Sequence, residues 1–188
     1  MNTVVELVIE NFREFTGKKF VGILYPVIML VNDKYTGEVV PKVLEINVRD
    51  CDPGAQAKLP RLESDILDIS MAVINKELDD IEITFKNEYS VAVCAVSGAL
   101  RGREGLKPGY PADHYTNQPI TGIEDALKEG LIYANGISSD YTTTGGRVLT
   151  AVGKGKTLEE AREKAYSTIS KINFPGMRYR KTIGLDLD

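Results

Sequence analysis

The stretch KVLEINVRDCDPGAQAKLPRLESDIL, residues 42–67, decides the reading of this chain. Side chains alternate faces along an extended strand, so Glu45, Asn47 and Arg49 fall on one face and Leu44, Ile46 and Val48 on the other. The apolar row is suited to packing against a core. The polar row sets a carboxylate, an amide oxygen and a guanidinium in line, successive members roughly 7 Å apart. A hard cation such as Mg²⁺ takes oxygen ligands, typically one or two from protein and the rest from phosphate and water; Glu45 and Asn47 supply such a pair. Arg49 can grip a phosphoryl or carboxylate group through two parallel bonds. Alternation alone equally describes a half-buried strand with a solvated polar face, which is the commoner case. Two details favour a site: the polar row is mixed in chemical type, and it runs into the polar turn DCDPGAQ, with Asp50, Asp52 and Gln56 beside the strand end.

Outward from this stretch the periodicities give an α+β protein. Before it, Val4, Val5, Val8, Ile9, Phe12 and Phe15 recur at steps of three and four, one apolar stripe of a helix that Gly17 ends. FVGILYPVIMLV (20–31) reads as a buried strand in which Pro26 removes a ladder donor and predicts a bulge or an edge. NDKYTGEV is turn chemistry, and residues 40–50 return as the second strand of a hairpin. After it, Ser64 is the expected N-cap of a helix over 64–76 that buries Ile66, Leu67, Ile69, Met71, Val73 and Ile74. Strands are expected at 81–85, 90–96, 131–134 and 146–153, and a short helix at 123–128. A long Gly- and Pro-rich loop, 97–118, carries the mixed-charge run RGREGLKPGYP. The clearest helix spans 157–172, where Thr157 and Glu160 form a capping box and Leu158, Ala161, Ala165, Ile169 and Ile172 face inward.

Composition bounds the function classes. The 188 residues are 43% hydrophobic and 27% charged, enough for a buried core. A net charge of −4 lacks the basic field of non-specific nucleic-acid binding, so no nucleic-acid partner is expected. The apolar run ending at Val31 is too short to span a bilayer, and the acidic groups among the first residues are unlike a signal peptide. Two cysteines, Cys51 and Cys94, make neither a disulfide framework nor a zinc spacing, and read as reduced thiols of a cytoplasmic protein without a membrane partner.

The quoted stretch resembles the metal-binding strand and following turn of the ATP-grasp ligases, and within them the phosphoribosylamine–glycine ligase family, which reads E-[FY]-N-x-R-F-G-D-P-E-T-Q and then L-x-S-D-[LI]. VGILYPVIMLV resembles that family's G-V-L-Y-A-G-L-M strand. GYPADHYTNQPITGIEDA resembles G-Y-P-G-D-Y…I-T-G-[LI]. TTGGRVLTAVGKGKTLEEAREKAYSTISKINFPGMRYRKTIG follows the family's tail almost residue by residue. The four motifs occur in the family's order over nearly the whole chain. The resemblance implies the C-terminal part of an ATP-grasp core, an antiparallel sheet with helices, over 1–80, followed by a small α+β C-terminal domain over 81–188. The family's N-terminal domain, phosphate-loop lysine and adenine-holding segment have no counterpart here, so the chain is expected to be inactive alone and to need a complementary N-terminal chain or segment.

By the same resemblance, Glu45 and Asn47 bind Mg²⁺ (or Mn²⁺), Arg49 meets the reacting phosphoryl or glycine carboxylate, and Asp52, Pro53 and Gln56 keep the substrate turn. Gly145, Gly146 and Arg147 match a second substrate-binding motif; adjacent glycines permit close backbone approach and Arg147 can meet a phosphate, although a strand-entry turn with a surface arginine fits the same letters. Asp50 and Cys51 stand where the family has Phe-Gly, and Gly54 and Ala55 where it has Glu-Thr. Tyr133 and Asn135 replace a His and a Gly, and the lone histidine, His114, carries no assigned catalytic role.

The implied function is part of an ATP-dependent carboxylate–amine ligase of purine biosynthesis, with ATP as co-substrate, joining glycine to 5-phosphoribosylamine through glycyl phosphate. A non-catalytic module that docks to a partner chain is the competing class, favoured by the missing half and the altered turn. An ATP-grasp ligase for another carboxylate is a third reading.

Overall fold

In the computed structural model, residues 2–99 and 107–185 are described, with the backbone alone for 2 and 3. The stretch 100–106, most of the expected mixed-charge run, lies outside the described residues. The elements in order are α1 (Asn2–Thr16), β1 (Tyr25–Asn32), β2 (Val39–Asn47), α2 (Gly54–Lys58), α3 (Ile66–Asn75), β3 (Tyr89–Ser97), α4 (Ile123–Glu129), β4 (Leu131–Ala134), β5 (Arg147–Gly155), α5 (Leu158–Ser170) and β6 (Met177–Arg178). Short 3₁₀ turns follow α2 and α3, at Leu59–Arg61 and Leu78–Asp80. Packing groups the chain into two units: Met1–Asp52 with Glu63–Thr84, and Pro53–Leu62 with Phe85–Asp188.

The first unit holds the hairpin. Helix α1 ends as its sequence dictates: Gly17 takes a left-handed φ of 68° and its N–H returns to the Arg13 carbonyl at 2.9 Å. Phe12 meets Phe20 edge to face at 5.8 Å. Strands β1 and β2 pair antiparallel around the turn at 33–38, where the Asp33 carboxylate accepts from the N–H groups of Tyr35 and Thr36. Those bonds hold the Asp33 carboxyl below the usual range. The register runs evenly from Asn32↔Val39 to Ile28↔Val43, then shifts so that Val27 faces Glu45, leaving Leu44 as an extra residue in β2. The sequence expects a bulge or an edge at Pro26: β1 is indeed an edge strand of a two-stranded sheet, while the bulge itself falls between Val27 and Ile28.

Several expectations fail in this unit, beginning with the buried strand expected over 20–31, which starts only at Tyr25 and holds no buried residue. Leu44, Ile46 and Val48 are exposed rather than packed on a core, Val48 at 73%, because a two-stranded sheet has too few elements to cover both of its faces. The same holds for α3, where Ile66, Leu67, Met71 and Ile74 are exposed and Ala72 is buried. The N-cap of α3 is Asp65, not Ser64: Asp65 Oδ1 accepts from the Leu67 N–H at 2.7 Å, while the Ser64 hydroxyl lies 3.2 Å from Thr84 Oγ1. Finally, 81–85 is not a strand; Glu63 N–H donates to the Thr84 carbonyl, but no ladder forms there.

The second unit contains the core. Its antiparallel sheet has the order β4-β5-β3-β6. Along β3, Val91, Val93, Ala95 and Ser97 are buried while the intervening residues are half-buried, the period-2 pattern of a sheet with one closed face. Helix α5 covers that face. Ala161, Ala165 and Ile169 are fully buried with Val93, Leu149 and Phe174, each large side chain contributing about 1.5–3 kcal/mol of hydrophobic stabilisation. Small residues set the helix distance: a Cβ on Gly153 would overlap the Ala161 carbonyl and the Ala165 nitrogen. At the helix start Thr157 Oγ1 accepts from the Glu160 N–H at 3.1 Å, and Glu160 Oε2 reaches back to the Lys156 N–H at 2.7 Å. The short α2, unforeseen in sequence because five residues are too few for a periodic signal, packs on β3 and β5.

Candidate functional site

The hairpin's bulge decides what shares a face at the end of β2. Residues paired across an antiparallel ladder point to the same side, so Glu45 lies with Val27 and Asn47 with Tyr25. Beyond Leu44 the phase reverses, and Lys42, opposite Met29, joins the face of Glu45 in place of Val43. Glu45 is exposed and Asn47 half-buried. The strand stops at Asn47, so Arg49 is not the third member of an alternating row: Val48 and Arg49 form a bend, and Arg49 Nη1 donates to the Asp50 carbonyl at 2.8 Å.

The turn that follows is closed by its own polar groups. Asp50 Oδ1 accepts from the Cys51 N–H at 2.9 Å and lies 3.6 Å from Cys51 Sγ. Tyr25 faces this turn. The charge Cys51 carries when ionised, partial burial, a side-chain hydrogen bond with Cys51 and the carboxylates of Asp50 and Glu45 hold the Tyr25 hydroxyl above the usual tyrosine range. Tyr25, Glu45, Asp50 and Cys51 are thus one electrostatic group. Sequence reasoning passed over Tyr25, and counting back from the hairpin turn would have set it opposite Ile46.

The donor set fits a hard cation with few protein ligands. Glu45 offers a carboxylate and Asn47 an amide oxygen from the same face, two residues apart. Two oxygen donors leave most of a hard cation's coordination open, which suits Mg²⁺ completed by phosphate and water oxygens.

The other sequence-derived candidates belong to different surroundings. Asp52 ends the first unit's first segment and is exposed, while Pro53 opens the second unit as the N-cap of α2, on which Gln56 lies. Gly145, Gly146 and Arg147 lead into β5. There Arg147 Nε donates to the Tyr110 hydroxyl at 3.0 Å, and Tyr110 and His114 meet edge to face at 6.5 Å. A Cβ on Gly146 would overlap the Tyr110 ring and come within 3.0 Å of His114 Cε1. Close approach at Gly146 is therefore made by the protein's own aromatic side chains. A Cβ on Gly136 would likewise stand 2.8 Å from the Gly145 nitrogen.

Comparison with known proteins agrees with this architecture. Residues 1–55 match the family described as phosphoribosylglycinamide synthetase, ATP-grasp (A) domain, and residues 106–186 match phosphoribosylglycinamide synthetase, C domain. A phosphoribosylamine–glycine ligase of Archaeoglobus fulgidus is 68% identical over 100% of this chain and 39% of its own length. One from Clostridium acetobutylicum is 40% identical over 93% of this chain and 37% of its own. A crystal structure of the Thermotoga maritima enzyme superposes with a TM-score of 0.67 at 29% identity, over 89% of this chain and 38% of that one. The chain thus spans about two fifths of the length of the curated relatives it matches.

Proposed function

The chain belongs to the phosphoribosylamine–glycine ligase family, and from that premise we propose that it supplies the metal-binding strand and the C-terminal domain of an ATP-dependent ligase joining glycine to 5-phosphoribosylamine. Residues 1–80 are assigned to the end of an ATP-grasp domain and 81–188 to the family's C-terminal domain. The observation that carries the reading is the pairing of Glu45 and Asn47 on one open face of β2, at the place where the ATP-grasp match and the turn DCDPGAQ meet.

Mg²⁺, when bound, supplies electrostatic stabilisation of phosphoryl charge. Glu45 and Asn47 hold that ion. Arg49, tied by Nη1 to its neighbour's carbonyl, keeps further N–H groups with which to orient a phosphoryl or carboxylate oxygen. Tyr25 and Asp50 fix the turn carrying Cys51 and Asp52. Such chemistry depends mainly on positioning and charge stabilisation. Asp52, Pro53, Gln56 and the Gly145–Arg147 segment are assigned to substrate binding. The adenine pocket and phosphate-loop lysine come from a complementary N-terminal segment, and the site of action is the cytoplasm.

Mixing the chain with the complementary N-terminal polypeptide tests this. Glycinamide ribonucleotide is expected from ATP, glycine and phosphoribosylamine in the mixture and not from either part alone. Turnover by this chain alone, or a mixture whose turnover survives Glu45→Ala, overturns the assignment. The exposed apolar residues of β2 and α3 favour a second reading, a docking module; complex formation without turnover is its signature. Stimulation of ADP release by an acid other than glycine would identify a ligase of different specificity.

A further inference from the structure

Within the second unit a cavity of about 340 Å³ opens between α2, the turn after it and the start of β3, walled by Gly54, Ala57, Lys58, Arg61, Phe85 and Ser90. Two of these side chains carry a buried polar atom with no hydrogen-bond partner among the described residues, Arg61 Nε and Ser90 Oγ. Buried polar groups are nearly always satisfied, and an orphaned donor on a charged group is the costliest kind. Arg61 is otherwise well anchored: its carbonyl accepts from the Lys86 N–H at 2.7 Å and its Nη2 lies 3.4 Å from the Lys86 carbonyl. The backbone of Arg61 is thus fixed, and its guanidinium reaches the Lys86 carbonyl through Nη2 with Nε left over.

The chemistry of the wall selects the occupant. A guanidinium can only donate, and a serine hydroxyl can donate alongside it. The lining includes two cationic residues and no carboxylate. The space exceeds what a free oxyanion needs, and Ala57 and Phe85 offer apolar contact to an attached carbon skeleton.

We propose that this cavity binds the phosphate group of a small phosphate monoester, with Arg61 and Ser90 as its donors. A phosphate dianion, with three terminal oxygens, matches a guanidinium edge, a hydroxyl and a nearby ammonium better than a two-oxygen carboxylate does. Resting on the ligase reading above, the ligand is the phosphate-bearing amine substrate, held by its phosphate.

Titration calorimetry on the full chain at matched ionic strength tests this, with ribose 5-phosphate, inorganic phosphate and glycine as separate probes. Ribose 5-phosphate is expected to saturate and to bind at least tenfold more weakly to Arg61→Gln, with a several-fold loss for Ser90→Ala. Should Arg61→Gln fail to fold, Arg61→Lys, which keeps the charge but loses the planar fork, is expected to show the same weakening. No saturation by ribose 5-phosphate, equal binding by the variants, or Arg61-dependent binding of glycine alone overturns the proposal. Absence of phosphate binding in a chain that still reconstitutes turnover removes this inference and leaves the ligase reading. Arg61-dependent phosphate binding in a chain that reconstitutes nothing does the reverse.

Discussion

Tyr25 stands directly across the hairpin from Asn47. The even register set by the turn would place it across from Ile46; the extra residue Leu44 moves it by one and brings its ring onto the face of Glu45 and Asn47. A single inserted position therefore gathers a phenol, a carboxylate and an amide at one strand end.

Glu45→Ala should be nearly silent for folding and severe for chemistry. The side chain is exposed, so unfolding free energy is expected to change by less than about 0.5 kcal/mol. Turnover of the reconstituted ligase should fall about 100-fold or more, the scale seen when one electrostatic stabiliser is removed. Denaturant titration and a product assay on the same preparation separate the two effects.

Gly153→Ala should do the opposite. A methyl group there would overlap backbone atoms of Ala161 and Ala165, which no side-chain rotation can relieve. Pushing α5 off the sheet is expected to cost about 1–3 kcal/mol, read as a lowered denaturation midpoint with an unchanged slope.

Asp65→Ala removes the oxygen that accepts the Leu67 N–H at the start of α3. A lost cap costs about 1 kcal/mol. Amide exchange over 66–70 should accelerate accordingly, with no effect at α5, whose cap is Thr157.

Acid should weaken the second unit through Glu88. Its hydrogen bond from Lys154, at 2.9 Å, and the charge of that lysine outweigh partial burial and hold the carboxyl below its ordinary range. A depressed folded-state value means the pair stabilises above the unfolded glutamate value of about 4.3, and that this contribution is lost as pH falls through the lower folded value. Glu88→Gln should lower the melting temperature at neutral pH and flatten its decline on acidification. An unchanged acid limb in the variant would count against this role.

The parts legible in the sequence are those where local pattern and final packing agree. The alternation in β3, the stripe of α5 and the Thr157 cap each state their own outcome, because the sheet and helix that bury them lie in the same unit. Residues 81–85 have strand composition, but residues 61–63 offer them only a single antiparallel bridge, Leu62 opposite Phe85, and β-propensity with so short a partner forms no ladder. That Glu45 and Asn47 share a face is readable from the alternation; that Arg49 leaves the row is not, since periodicity does not reveal where β2 ends. The Tyr25 contact depended on a bulge, which has no periodic signature. Arg61 and Ser90 come together only through the tertiary path of the chain from α2 to β3.

Sheet β1–β2 has just two strands, so among the described residues both of its outer rims leave backbone amides and carbonyls without ladder partners. Flanked by bare Met29, Leu30 and Val39, such rims are templates for strand-to-strand annealing. Purified by itself at high concentration, the chain should scatter light and gain thioflavin fluorescence over hours, and a stoichiometric amount of the complementary segment should suppress both.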